Sequence, residues 1–204
     1  MRLQMRMAVV TLATVALASA GCALLGKNDP VVPRYFTPQY ESDGKKAAPH
    51  PELRLRLGRV SAWAHLRERM VVRSSPQELS YLEDRRWTER PEVYLKAALE
   101  RSLFEERGLV EALSGSAPTL EVELAAFEEL PKHQVRLQAL MLLHDDRSGR
   151  MEETLTVEEA VAKGPDADVA VVEALSRALH RGVDQISDRV IEKLVSLPAS
   201  RASQ

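Results

Sequence analysis

The chain has 204 residues, of which 28 are lysine or arginine and 30 are aspartate or glutamate, so its formal net charge is −2. This balance argues against a nucleic-acid-binding protein, and an aromatic content of 4% leaves few platforms for stacking single-stranded bases. A hydrophobic content of 45% is typical of a globular domain. The single cysteine, Cys22, excludes an intramolecular disulfide.

Residues 1–21 have the organisation of a secretory signal peptide. Two arginines and no acid precede an apolar run over 8–18, which is shorter than the roughly 20 residues of a membrane-spanning helix. The small residues Ser19-Ala20-Gly21 then precede Cys22, as in bacterial lipoprotein signals. The sequence therefore predicts removal of 1–21 and attachment of a lipid such as palmitate to Cys22. An ordinary signal peptide with an incidental cysteine is the alternative interpretation.

The residues after Cys22 predict where the domain is held. In Gram-negative bacteria an aspartate in the next position usually keeps a lipoprotein in the inner membrane, so Ala23 favours the periplasmic face of the outer membrane. Residues 22–33 are polar and turn-rich, and we expect a flexible tether that reaches at most roughly 40 Å, at about 3.3 Å per residue. We expect the domain to cover 34–198 and a disordered tail to cover 199–204.

Alternation of apolar and charged residues predicts most of the strands. From Ala139 to Leu143 both faces of one strand are apolar, which predicts that the second half of this strand is central and covered on both sides. The stretch 78–87 mixes apolar and charged residues without a clean period, and we interpret it as a charged loop. The expected strands cover 34–37, 53–60 with a turn at Gly58, 70–73, 120–126, 134–144 and 151–157, the last two joined by a hairpin turn at 145–149.

Two helices are expected. The first begins near Pro91, repeats leucine every fourth residue and ends at Gly108, and the second runs from about 166 to 197 with a continuous apolar stripe. The resulting order is strands, helix, three meandering strands, helix. This order predicts an α+β fold, a two-layer sandwich in which a mostly antiparallel sheet carries two helices on one face.

The sequence offers no catalytic or metal-binding pattern. The histidines include no pair spaced by four residues and no HExxH motif. The adjacent acids Glu152-Glu153 and Glu158-Glu159 fall on a predicted strand, where neighbours point to opposite faces. Asp145-Asp146 falls in the predicted turn, where solvated carboxylates are common. We therefore predict a protein that is not an enzyme and that uses no cofactor or metal.

A set of short motifs follows in a fixed order: Leu57-Gly58-Arg59-Val60, Leu66, Met70-Val71-Val72-Arg73, Glu78-Leu79 and Arg86-Trp87. This ordered set resembles the ABC-type transport auxiliary lipoproteins. Members of this family begin with a short Tyr-containing strand, which 34–37 matches apart from Pro38, where a leucine is usual. One departure lies at Trp63-Ala64-His65, where the family commonly has a proline and a tyrosine, so a local contact there is expected to differ.

The resemblance implies a role in transport. These lipoproteins accompany ABC transporters with MCE-domain proteins, which move lipids across the periplasm, and no cofactor, metal or catalytic residue is implied. The implied partners are the outer membrane, through the lipid anchor, and an MCE-domain protein; a homo-oligomer is also compatible with the sequence. Two alternatives are a structural lipoprotein that assists assembly of an outer-membrane protein or envelope complex, and a carrier that binds lipid in an apolar cavity.

Three aromatic residues are candidates for contacting a partner, because exposed aromatics often anchor interfaces. Tyr81 and Trp87 interrupt the charged stretch 78–87, and Trp63 lies in the linker that departs from the family pattern. For Trp87, the alternative interpretation is a core residue at the start of the first helix.

Overall fold

The computed structural model describes residues 31–40, 50–145 and 149–196. The predicted signal peptide, Cys22, most of the predicted tether and the tail 199–204 lie outside these described residues. The centre of the predicted hairpin turn, 146–148, does so as well. All elements named below belong to the unit that begins at Pro33.

The described residues form an open, mostly antiparallel eight-stranded sheet with two helices, which confirms the predicted α+β class. Helix α1 covers Pro91–Glu100 and continues as a π-helical segment over Arg101–Glu106, and helix α2 covers Ala167–Ser196. The strands are β1 (Arg34–Phe36), β2 (His50–Ala62), β3 (Arg69–Ser75), β4 (Glu78–Trp87), β5 (Leu109–Glu111), β6 (Thr119–Leu130), β7 (Gln134–Asp145) and β8 (Gly149–Ala160).

Strand β6 is the axis of the sheet. Strand β7 pairs antiparallel along the whole of one edge, and β8 pairs with β7. The other edge of β6 carries two parallel strands end to end, β2 along its first half and β3 along its second half. Strand β5 extends the β2 side, while β4 and then β1 extend the β3 side. The sheet therefore splits into two branches beyond β6.

The core lies between the sheet and α2. Alternate residues of β7, from Val135 to Leu143, are buried against the apolar stripe of this helix. Gly182 allows close packing, because a Cβ on it would lie 2.9 Å from a methyl carbon of Leu137. On the opposite face of β7, Leu140 and Leu142 are only half-buried. The second half of β7 is central as predicted, since it pairs with both β6 and β8. The prediction that it is covered on both sides is wrong, since both helices pack on the same face.

Two local predictions are also corrected. The stretch 78–87 is strand β4 and not a loop, but its alternation is broken because four β4 residues lie between Tyr81 and Arg86 while only one lies between their β3 partners. Gly58 does not turn the chain: β2 continues through it as a bulge. A Cβ on Gly58 would lie 2.8 Å from the Thr119 methyl group, so glycine suits this close approach.

Candidate functional site

Strand β1 is the described element nearest in sequence to Cys22. It pairs in parallel with the end of β4, so that Phe36 lies opposite Trp87. The guanidinium group of Arg34 binds two carboxylates at the start of α2, with Nη2 2.6 Å from Asp166 Oδ2 and Nη1 2.7 Å from Asp168 Oδ2. We call Arg34, Asp166 and Asp168 the β1 clasp. The clasp joins the entry point of the domain to its longest helix.

Asp166 has a second role in the β1 clasp, because it also caps α2. Its Oδ1 accepts hydrogen bonds from the backbone N–H groups of Asp168 (3.0 Å) and Val169 (3.2 Å). The hydrogen bond from Arg34, followed by the one from the Val169 amide, lowers the pKa of Asp166. Because about half of the Arg34 side chain is exposed, the clasp holds β1 by charge and hydrogen bonding and not by burial.

Trp87 belongs to the core. Its side chain is 2% exposed and packs against Phe127 and Tyr94, with ring centroids 5.3 and 6.3 Å away. The Tyr94 hydroxyl accepts a hydrogen bond from the Glu89 amide at 2.7 Å, which links Trp87 to the entry of α1. The structure therefore agrees with the alternative interpretation of Trp87 as a core residue beside the first helix.

The other two aromatic candidates are on the surface. Tyr81 is 41% exposed and lies opposite Val71 in the β3–β4 hairpin. Trp63 is 50% exposed and lies in the turn 63–68, through which the chain leaves the edge of β6 after β2 and returns to it as β3. The structure thus places these two residues, and not Trp87, where a partner could contact them.

A buried carboxylate lies beside this turn. Glu128 of β6 is 1% exposed and binds the guanidinium groups of Arg73, at 2.8 Å, and of Arg136. His65 belongs to the same neighbourhood: burial lowers its pKa, the charge of Glu128 opposes that shift and the charge of Arg73 adds to it. The Nε2 atom of His65 is buried without a hydrogen-bond partner in the described residues. This group joins β3, β6 and β7, so we assign it a structural role.

A second polar cluster connects the π-helical segment with α2. The hydroxyl groups of Ser102 and Ser187 are fully buried and 2.9 Å apart. Arg107 binds Ser102 and also lies 3.0 and 2.9 Å from the carboxylates of Asp184 and Asp188. Each serine hydroxyl is thus enclosed by other side chains. This favours a structural contact between the π-helical segment and α2 over a role as nucleophile. In the described part of the chain, no group of three or more potential ligands could hold a metal ion.

A groove of about 440 Å³ lies between β8 and the second half of α2. Its charged lining residues include Glu153, Asp188, Arg189 and Glu192, and two threonines add hydroxyl groups. This groove therefore does not supply the apolar cavity that a lipid carrier needs. Among the described helices, none is both long and apolar enough to cross a membrane.

The family model for the ABC-type transport auxiliary lipoprotein component matches residues 37–187 of the chain. The protein belongs to this family. The match includes all the strands from β2 to β8 and most of α2, and it confirms the predicted resemblance. Members of the family are auxiliary lipoproteins of ABC-type transport, and the family is not known as one of enzymes. No curated protein matches the sequence significantly.

Solved structures share the fold at low sequence identity. A protein from Xanthomonas campestris is 18% identical, with a TM-score of 0.65 over 78% of this chain and 96% of that chain. An uncharacterized protein is 17% identical, with a TM-score of 0.63 over 78% and 99% of the two chains. A minor lipoprotein from Acinetobacter baumannii is 12% identical, with a TM-score of 0.43 over 69% and 93%. The first two show the fold alone, and the third is too loose to add to them.

Proposed function

We propose that this protein is an outer-membrane lipoprotein that acts as the docking component of an MCE-type ABC system, which transports lipid across the periplasm. Membership of the auxiliary lipoprotein family carries the proposal. The lipoprotein signal that ends at Cys22, with Ala23 after it, supports the outer membrane as its location. The family association with ABC transport and the resemblance described above support an MCE-domain protein as the partner.

The place of β1 agrees with a lipid-anchored docking role. Residues 22–33 would hold the domain within roughly 40 Å of its lipid, so the domain would remain near one membrane. The β1 clasp joins β1, the first strand after this tether, to the start of α2. The anchor would therefore hold the body of the domain and not only its first strand. The exposed aromatic residue Tyr81 is our candidate for the partner contact. Trp63 is exposed as well, but the stretch of chain around it is rich in arginine.

Co-purification from native membranes tests this function. The lipidated protein should retain an MCE-domain protein encoded with it, and Tyr81→Ala should weaken that retention severalfold because a central aromatic anchor is lost. Leu113→Ala is the matched control, since Leu113 is an exposed apolar residue (85%) in the loop between β5 and β6, away from strand β4, and should be dispensable. If no MCE protein co-purifies while its gene is intact and expressed, the proposal is wrong.

Depletion of the protein separates this role from the structural alternative. Loss of lipid asymmetry in the outer membrane would support a transport role, whereas loss of a single outer-membrane barrel protein would support an assembly role. The charged lining of the groove beside β8 gives no support to the third role, that of a lipid carrier. Failure of the delipidated protein to take up phospholipid would agree with that conclusion.

A further inference from the structure

Arginine and exposed aromatic side chains gather on one outer surface of the branch formed by β3, β4 and β1. Strand register places Tyr35, Arg86 and Arg69 in one row across these three strands. Residues paired in this way share a face of the sheet. Because the next residue of β1, Phe36, lies opposite the buried Trp87, this row lies on the face away from the core. Tyr35 is accordingly 60% exposed.

The turn 63–68 adds Trp63 and Arg67 to this row. The carbonyl group of Glu68 accepts a hydrogen bond from the Trp87 amide at 2.6 Å, which places the turn beside the end of β4. Leu66 is 1% exposed and holds the turn to the core, while Arg67 Nε donates to the Ala64 carbonyl at 3.1 Å. Arg67 thus lies in the same ordered turn as the exposed Trp63, whose ring contacts His65 edge-on with centroids 6.1 Å apart. We call Tyr35, Trp63, Arg67, Arg69 and Arg86 the basic-aromatic surface.

The arginines of the basic-aromatic surface have no acidic partner in the described part of the chain. They differ in this from Arg34 and Arg107, which bind carboxylates of α2. The stretch 54–73 contains six arginines and a single acid, Glu68, in a chain whose formal net charge is −2. Arg73 is neutralised by the buried Glu128, whereas no carboxylate of the described residues pairs with Arg67, Arg69 or Arg86, which favours an anion outside the protein.

We propose that the basic-aromatic surface lies against the anionic phospholipid surface of the membrane that holds the lipid anchor. Tyrosine and tryptophan suit the headgroup region, because each combines an apolar ring with a polar atom. Arginines close to them bind lipid phosphates and respond to negative surface potential. Tyr35 belongs to β1, the strand on which the tether ends, so the anchor would bring this surface to the bilayer first. The inference rests on the anchor of the proposed function but not on any transporter component.

Tryptophan fluorescence in vesicles tests this contact. The full lipidated protein is reconstituted into phosphatidylcholine vesicles with or without phosphatidylglycerol, with brominated phospholipid as a quencher. The chain has two tryptophans, and Trp87 is shielded in the core, so Trp87 is an internal reference. We expect lipid quenching of Trp63 that is stronger with phosphatidylglycerol, is reduced by salt and is lost in Trp63→Phe.

Two double variants with the same change in charge make the test specific. Arg67→Glu with Arg69→Glu should lower the ratio of docked to undocked protein by about fivefold or more for each arginine lost. Arg54→Glu with Arg59→Glu should leave quenching unchanged, because these exposed arginines of β2 also lack acidic partners but lie outside the basic-aromatic surface. Circular dichroism checks that both variants fold.

Three results would overturn the inference. The first is no lipid quenching of Trp63, and the second is equal quenching in the two double variants. The third is a Trp63 that stays open to aqueous iodide on vesicles and becomes protected only when a transporter protein is added, since the surface would then bind protein. If mass spectrometry finds no acyl chains on Cys22, the proposed anchor is wrong. The same quenching measurement on protein added to vesicles then still decides whether the surface binds lipid.

Discussion

The two sides of the sheet are held in different ways. Strands β6, β7 and β8 lie under α2, and their alternating apolar residues form a continuous core with its stripe. The branch of β3, β4 and β1 adds ion pairs to its buried residues Met70 and Trp87: Arg34 binds the start of α2, and Arg73 binds the buried Glu128. The exposed aromatic residues Tyr35, Trp63 and Tyr81 all belong to this branch or to the turn that leads into it. The exposed aromatic residues that we propose as contacts for a partner or a membrane therefore lie on the branch and not on the side that α2 covers.

The largest expected effect is on the helix-covered side. Leu137→Ala should lower the free energy of unfolding by about 3 kcal/mol, because the side chain is fully buried beneath Gly182 and its removal leaves a cavity. Leu140→Ala, three residues along on the open face, should cost only about 1 kcal/mol. Urea denaturation of both variants measures the difference. Equal losses would show that the open face is covered in solution.

A smaller effect is expected where the branch meets β6. Glu128→Ala should lower the free energy of unfolding by about 2 kcal/mol, because it leaves Arg73 and Arg136 without their carboxylate, although both can partly reach water. Glu158→Ala is the control, since Glu158 lies opposite Arg136 but is exposed. Thermal unfolding compares the two. If the Glu128→Ala protein is as stable as the control, the ion pairs of Glu128 do not stabilise this branch.

Removal of the clasp should loosen β1 and leave the rest of the fold intact. In Arg34→Ala, we expect faster hydrogen exchange at the Thr88 amide, which donates to the Phe36 carbonyl at 3.0 Å, and unchanged exchange in β7. The pKa of Asp166 should also rise towards its ordinary value of 3.8, since the Arg34 hydrogen bond is the largest cause of its lowering.

The sign of the pH effect follows from that lowered pKa. Since the folded state holds Asp166 ionised to lower pH than the unfolded state does, the clasp contributes above pH 3.8 and is lost as the pH falls through the lowered value. Carboxylate NMR titration of the wild type and of Arg34→Ala measures this change. An Asp166 that titrates identically in both proteins would contradict the clasp.

The smallest effect concerns Tyr40, which follows β1 and donates a hydrogen bond to Glu106 at 2.8 Å. Burial is the main cause that raises the pKa of Tyr40 to about 12. Its contribution to stability should be complete below pH 10 and should fall as the pH rises towards about 12. Ultraviolet titration should show one tyrosine that ionises only near pH 12, and this step should be absent in Tyr40→Phe. A titration curve that does not change with this substitution would place Tyr40 in solvent.

The regularity of each region decided how well the sequence predicted it. Strands β6, β7 and β8 and helix α2 have clean periods, because each packs one face against a single apolar layer. Strand β4 was missed since its alternation is broken between Tyr81 and Arg86. Leu140 and Leu142 predicted a covered face for another reason: apolar side chains on a central strand can face solvent in part, between polar neighbours on the adjacent strands.

The candidate surfaces were harder to predict than the fold. The sequence could identify Trp63, Tyr81 and Trp87 as aromatic residues, but only the register of β1 with β4 shows that Trp87 faces the core. Arg34 and Asp166 are 132 residues apart, and no local pattern connects them. The excess of arginine over acid between 54 and 73 is the one feature of the sequence that indicates a basic surface near Trp63.

The arrangement of β2 and β3 on one edge of β6 has a consequence for the order of folding. Neither strand can complete its pairing until β6 has been made, and Arg73 must wait for Glu128, 55 residues later. The β1 clasp needs the start of α2, across 132 residues of chain. Such distant closures are slow, because the loop entropy is lost before the contacts form. The N-terminal end of the domain, although it is synthesised first, is therefore the last to be closed.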